Sequence, residues 1–387
     1  MSELAIWVER ALTPERELHR VRVRVGDGRI AALEEGVEPA PSDELYPEVT
    51  LVPGLVDLQV NGADGATYDD ASRDERTRAT AFHLRAGTTS LLATLVSTSL
   101  DRLGAALAWL AADADPAGPV VGIHLEGPFL DREKGGAHAR TVLRDPTPES
   151  VEAILRSAAG ALRMVTLAPE LPGALEAIER FAQAGAVVSA GHSRASLEQM
   201  RRAMARGLTF VTHVGNASDW PSRPVDHELG FRRSEPGVVG AFLVERQLCG
   251  SVIADGLHLH PDLVRALVEL RGPDCVALVS DATAAAGLPP GDYKMGSLQA
   301  RVHAEGYATV GQGLAGSTIT LVQALRTSVQ KAGIPLGDAL RMATSTPARI
   351  LGIDAHKGSL QAGKDADLLL LGPDLEIRAV YQRGSRI

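Results

Sequence analysis

From residue 51 onward the chain alternates short apolar runs with helix-like segments, and this rhythm constrains the fold more than any other feature. The runs 88–96, 119–125, 163–168, 186–190, 208–213, 250–254 and 275–280 read as strands. Between them, 72–86, 101–114, 147–159, 173–184, 194–206 and 261–271 read as helices. Repeated β-then-α units impose a parallel sheet, because parallel neighbours need a crossover between them. With 51–60 as the first strand there are about eight strands before residue 280, the number and span of a closed (β/α)8 TIM-like barrel. That barrel is preferred to an open sheet.

The two ends of the chain read differently. Residues 4–8 and 21–25 alternate apolar with polar, and Gly26-Asp27-Gly28 turns into 29–33, the pattern of hairpin strands with one wet face. Residues 363–371 and 379–381 return to β character. The expected organisation is therefore a small β-sandwich domain from 1–50 and 353–387, flanking a catalytic barrel over 51–352. Two stretches, 127–146 and 214–237, are long and rich in Gly, Pro and charge, and loops of that length usually carry function.

Composition narrows the class of partner. With 39 Lys+Arg against 48 Asp+Glu the net charge is −9, and no basic run appears, so neither a nucleic acid nor an anionic membrane surface is expected. A small molecule is expected instead. The N-terminus lacks the basic and apolar regions of a secretory signal, and no apolar run approaches the roughly 20 residues of a membrane span. The two cysteines, Cys249 and Cys275, each in an apolar strand-like context, suit buried thiols in a reducing compartment, which gives the cytoplasm as the expected location.

In such a barrel the chemistry sits at the C-terminal rim, so polar residues that end strands come first. Four strands end that way: His124-Leu-Glu126, Gly191-His192, Thr212-His213 and Ser280-Asp281. His124 and Glu126, two apart in a strand, share a face. Together the five side chains have the composition of a catalytic zinc-type site, where protein fills three positions and one stays open. Imidazole suits zinc, iron, nickel and copper alike, and zinc is the default. No P-loop follows Gly311-Gln-Gly313, so no nucleotide is expected.

Motifs in order along the chain then carry a resemblance. Pro53-Gly-Leu-Val-Asp57, His124-Leu-Glu-Gly-Pro128, Lys134-Gly-Gly-Ala-His138, Ala190-Gly-His-Ser193, Thr212-His213 with Asn216-Ala217, Ala254-Asp-Gly-Leu-His258, Ser280-Asp-Ala-Thr283 and Leu314-Ala-Gly-Ser317 resemble the N-acetylglucosamine-6-phosphate deacetylases of the amidohydrolase superfamily. The resemblance implies Glu126, His192 and His213 as metal ligands and Asp281 as the catalytic acid/base. It implies that His138 polarises the acetamide carbonyl, and that the backbone at Asn216-Ala217 and the side chain of His258 hold a phosphorylated N-acetyl amino sugar. It further implies a homodimer in which a loop arginine of the partner reaches the phosphate.

Where many superfamily members place a His-x-His pair, this chain has Gln59-Val60-Asn61, so one divalent metal is implied, with Gln59 and Asn61 supporting the site. His124, one residue inside its strand end, is read as orienting Glu126 or a bound water and not as a ligand. The chain departs from the family pattern in 214–237, which is lengthened around Trp220 and reads Arg232-Arg233-Ser-Glu-Pro-Gly237. Arg233, or Arg232 with a one-residue shift, is the candidate for the phosphate. The lengthened loop supports one alternative, a deacylase of another N-acyl amino sugar (the galactosamine epimer or a non-phosphorylated sugar); a second, from another class, is a non-catalytic metal-binding homologue. The spare carboxylate Asp281 argues against the last.

Overall fold

The computed structural model describes residues 4–387 apart from 71, 219–224, 227–230, 233, 296, 297, 312 and 315. Eight parallel strands, Leu55–Val60, Thr88–Val96, Val120–Glu126, Leu162–Leu167, Val187–Ala190, Leu208–Val211, Cys249–Ile253 and Val276–Val279, pair in sequence order. The last strand returns to the first: the Asp281 N–H donates to the Gln59 carbonyl at 3.0 Å, and the Asn61 N–H to the Ala282 carbonyl at 2.8 Å. A Val60–Ala282 bridge completes the closure. This is the expected barrel.

The strands are buried on both faces, which is why they read as continuous apolar runs. One set of side chains packs outward against the helices; Leu58, Leu92, Met164, Phe210, Ile253 and Val279, each from a different strand, form a separate cluster that also includes Leu351. The helices begin where short polar residues cap their free N–H groups. Ser99, Thr147 and Ser196 each accept from the third residue onward.

Both chain ends meet in one seven-stranded sheet, ordered Ser385–Arg386, Ile377–Gln382, Leu368–Leu371, Glu44–Pro53, Leu4–Leu12, Glu17–Gly26, Arg29–Glu34. The run 51–60 is not one strand. Its first part belongs to this terminal sheet, and the barrel strand starts at Leu55. Gly54 is the pivot: its N–H donates to the Asp367 carbonyl at 2.9 Å, and a Cβ there would strike the Thr89 side chain. Behind the sheet, the buried Lys357 ammonium lies 3.0 Å from Asp365 and 2.7 Å from Asp367.

The sequence reading missed the helices Gly237–Val244, Leu321–Gln330, Leu336–Ala343 and Ser345–Ile350, and one further sheet. Between the eighth strand and the helix Leu321–Gln330 the chain builds an antiparallel sheet of Gly291–Met295, Leu298–Val302, Ala308–Val310 and Gly313–Leu314. Its strands are too short and polar to stand out by periodicity. The two cysteines, Cys249 at the start of the seventh strand and Cys275 in the turn just before the eighth, lie side by side as free thiols, Sγ to Sγ 2.8 Å, and are half-buried, not buried as expected. Among the described residues no helix is long and apolar enough to cross a membrane.

Candidate metal centre and active site

Glu126 ends the third barrel strand and is 3% exposed. Around its carboxylate stand three imidazoles. His213 Nε2 lies 2.9 Å and His192 Nε2 3.2 Å from the same oxygen, Oε1, while His138 Nε2 lies 3.6 Å from Oε2. One ligand atom from each of Glu126, His192 and His213 can be chosen so that all lie within 4.8 Å of one another. The three rings meet edge to face, His138 to His192 at 4.7 Å and His192 to His213 at 5.0 Å between centroids.

The backbone turns sharply to deliver these groups. His192, His213 and Asp281 follow their strands with φ of 50°, 30° and 47°. Such left-handed conformations cost non-glycine residues about 1–3 kcal/mol and persist where surrounding contacts over-determine them. Here the contacts are specific. The His213 N–H donates to Ser251 Oγ at 2.9 Å, the His192 carbonyl accepts from the Asp131 N–H at 3.0 Å, and Asp281 is held through both its N–H and its carbonyl.

Hydrogen-bond direction tests whether a cation fits. His192 Nδ1 faces the Lys134 carbonyl at 2.8 Å, and a carbonyl only accepts, so Nδ1 carries the proton. Burial pushes the His192 pKa down, which favours the neutral ring. Nε2 then aims a lone pair at the Glu126 carboxylate, and two acceptors at 3.2 Å need a cation between them. Burial works against the charge on Glu126, yet the imidazoles around it, His138 foremost, hold its carboxyl well below the usual range. Two imidazoles and a carboxylate are a donor set for a divalent ion that keeps an open position. The residues present fit such a group.

Two further groups flank this point. His138 Nδ1 accepts the Ser97 N–H at 3.2 Å, so its Nε2 carries the proton and presents a fixed donor beside Glu126. Asp281 has one oxygen fixed by Asn61 Nδ2 at 2.7 Å. Burial first, then the Glu126 charge, raises its pKa to about 6, against the pull of His213, His258 and the Asn61 hydrogen bond. Gln59 supplies the carbonyl that takes the Asp281 N–H, and both atoms of its buried side-chain amide lack a partner among the described residues.

The remaining candidates are distributed unevenly. His258 is half-buried, its Nδ1 2.6 Å from Asp255, and it is among the groups that draw the Asp281 pKa down. Asn216 donates its N–H to the His213 carbonyl at 2.9 Å and leaves Nδ2 without a partner among the described residues. Ala217, at φ 48°, accepts from the Ser193 N–H. His124 makes no hydrogen bond to Glu126: its ring spans the barrel from the Leu58 carbonyl at 3.1 Å to Thr166 Oγ1 at 2.8 Å, and burial lowers its pKa to about 4. Arg233 and Trp220 lie outside the described residues, and Arg232 is described only as backbone in the strand Phe231–Arg232.

Asp57 and Asp131 were not singled out from the sequence. Asp57 is fully buried and accepts the N–H groups of Gln59 and Ser280, tying the first strand to the Asp281 turn. Burial raises its pKa to about 7. Its place in Pro53-Gly-Leu-Val-Asp57 was the available signal.

The geometry has close counterparts. The amidohydrolase family model matches residues 50–387. The N-acetylgalactosamine-6-phosphate deacetylase of Escherichia coli O157:H7 is 33% identical over 379 residues, 97% of each chain. The N-acetylglucosamine-6-phosphate deacetylase of Danio rerio is 36% identical over 351 residues, 87% of this chain and 84% of that one. A variant of the N-acetyl-D-glucosamine-6-phosphate deacetylase of Mycobacterium smegmatis, solved in complex with N-acetyl-D-glucosamine-6-phosphate, superposes with a TM-score of 0.92 at 36% identity, covering 100% of this chain and 99% of that one. A shared fold, the family-model match and this level of identity over most of the chain place it in the amidohydrolase family, in its N-acetylglucosamine-6-phosphate deacetylase branch.

Proposed function

We propose that this chain hydrolyses the acetamide of N-acetylglucosamine 6-phosphate to glucosamine 6-phosphate and acetate. The observation that carries the reading is the convergence of Glu126, His192 and His213 on one point, with the Asp281 carboxylate and a fixed His138 donor beside it. Glu126, His192 and His213 hold one divalent metal, zinc by default. Such an ion supplies Lewis-acid polarisation of the carbonyl and lowers the pKa of a water towards about 7.

The chain's own residues do the rest. Asp281 takes the proton as water adds to the carbonyl carbon, and Asn61 keeps the carboxylate aimed. His138 Nε2–H donates to the oxygen on which negative charge develops. As the C–N bond breaks, Asp281 returns the proton to the nitrogen, because an amide anion is a very poor leaving group. His258, oriented by Asp255, and the Asn216-Ala217 backbone hold the sugar, and Arg233 or Arg232 reads its phosphate. Catalysis is assigned to the barrel over 51–352, with 1–50 and 353–387 as its supporting β domain. A homodimer in the cytoplasm suits a phosphorylated substrate and two free thiols.

Acetate release from N-acetylglucosamine 6-phosphate, its galactosamine epimer and free N-acetylglucosamine by the zinc-loaded protein tests the reading. Turnover should be fastest on a phosphorylated sugar, and cleavage of none of the three despite bound zinc would sink it. The likeness to the Escherichia coli N-acetylgalactosamine-6-phosphate enzyme favours the epimer as the second reading.

Two smaller predictions follow from the geometry. Replacing His138 by Ala removes one donor at the developing charge, and kcat should fall about 10²–10³-fold with metal content unchanged. Asp281 accepts a proton only when ionised, so kcat/KM should fall as pH drops through or below about 6, since a neighbouring cation draws its pKa down from that value. An acid limb centred above about pH 7 would assign the base elsewhere.

A further inference from the structure

We propose that Asp131 is a positioning residue of the metal centre. Gripped by Arg194, it holds the turn whose Lys134 carbonyl fixes the His192 ring. This rests on the reading of His192 as a metal ligand.

The loop 127–146 crosses directly over the His192 strand end, and Asp131, 5% exposed, is where the two are fastened. Its N–H donates to the His192 carbonyl at 3.0 Å. Its Oδ1 accepts from the N–H groups of Glu133 at 2.8 Å and Lys134 at 3.2 Å, and its carbonyl accepts from the Lys134 N–H at 3.0 Å, closing a tight turn. Arg194, two residues beyond His192, reaches back with Nε 3.1 Å from both oxygens and Nη2 2.9 Å from Oδ2.

His192 is thus held twice by one turn, at its backbone through Asp131 and at its ring through the Lys134 carbonyl, 2.8 Å from Nδ1. Gly136, at φ 56°, lies against the ring; a Cβ there would be 3.2 Å from His192 Cε1. The carbonyl is the element that sets chemistry. Because it accepts only, it selects the tautomer with the proton on Nδ1 and leaves the Nε2 lone pair for a cation. Partners one shell out from a metal fix ring orientation in this way, and losing one typically weakens metal binding 10–100-fold. Asp131 acts through Lys134 and His192 and touches neither metal nor substrate.

The test compares the full-length wild type with Asp131→Ala and Asp131→Asn. Zn²⁺ affinity is read by competition with a fluorescent chelator, and the His192 tautomer by ¹⁵N imidazole NMR of the metal-free protein. Asp131→Ala should weaken Zn²⁺ binding 10–100-fold and move the His192 ring from a single Nδ1–H tautomer to a mixture. Asp131→Asn keeps the Oδ1 acceptor and loses the charge facing Arg194, so it should fall between the two, and it carries the test if the alanine variant does not fold. Wild-type affinity and a wild-type imidazole spectrum in the variants overturn the proposal even if stability drops, because a merely structural residue would behave that way. If the wild type itself binds no Zn²⁺, the metal reading fails, and the imidazole spectra alone decide whether Asp131 sets the tautomer.

Discussion

An Asp281→Asn variant should fold, keep its metal and lose about 10²–10⁴ in kcat, the range that general acid–base catalysis contributes. Asparagine has the same shape and can still meet Asn61 through its amide oxygen, so the turn at φ 47° should survive. What it lacks is a basic oxygen to take the water proton and an acid to protonate the leaving nitrogen. The acid limb that Asp281 sets should vanish with it, because the carboxyl whose ionisation at or below about pH 6 gates the step is gone. Metal content by elemental analysis and single-turnover acetate release separate the outcomes. Loss of metal together with activity would make Asp281 a ligand, and near-normal turnover would remove it from the mechanism.

The largest effect on stability is expected far from the chemistry. Replacing Lys357 by Met should cost about 3–5 kcal/mol, because it strands two buried carboxylates. The Lys357 ammonium, 1% exposed, serves Asp365 and Asp367 together, and Asp367 also accepts the Arg383 N–H at 2.9 Å. Burial already raises the Asp367 pKa in the presence of the lysine. Without it the Asp367 pKa should rise further, so the folded variant should bind a proton that the unfolded chain releases. Its stability should therefore be lowest at neutral pH and improve as pH falls towards 5. Urea unfolding followed by circular dichroism at the two pH values checks this, and a wild-type midpoint at neutral pH would show the triad to be dispensable.

These two sites differ in how far they were visible beforehand. Asp281 announces itself as a carboxylate closing an apolar run, one of four such endings, and a barrel puts all strand ends on one rim. Lys357 carries no comparable signal. It lies in a loop, and its partners sit in Gly363-Lys-Asp-Ala-Asp-Leu368, which reads only as a family signature until the chain ends are brought together. His124 shows the opposite case. It shares a face with Glu126, so spacing suggested that it orients that carboxylate or a bound water, whereas its two nitrogens are taken by Leu58 on the first strand and Thr166 on the fourth. Spacing within a strand gives the face but not the partner across it.

The sequence by itself determined the order of the eight barrel strands and of six helices between them, the β character of both ends and the residues that close the catalytic strands. All of these follow from local apolar periodicity and from which polar residues interrupt it. Only the tertiary structure decided that 51–60 divides at Gly54, that the proton of His192 sits on Nδ1, that Asp131 and Arg194 fasten a loop to that ring, and that Lys357 meets two aspartates. Each of these depends on an atom supplied by a distant part of the chain, and the direction of a hydrogen bond or the pairing of a buried charge is set by that partner, not by neighbours in sequence.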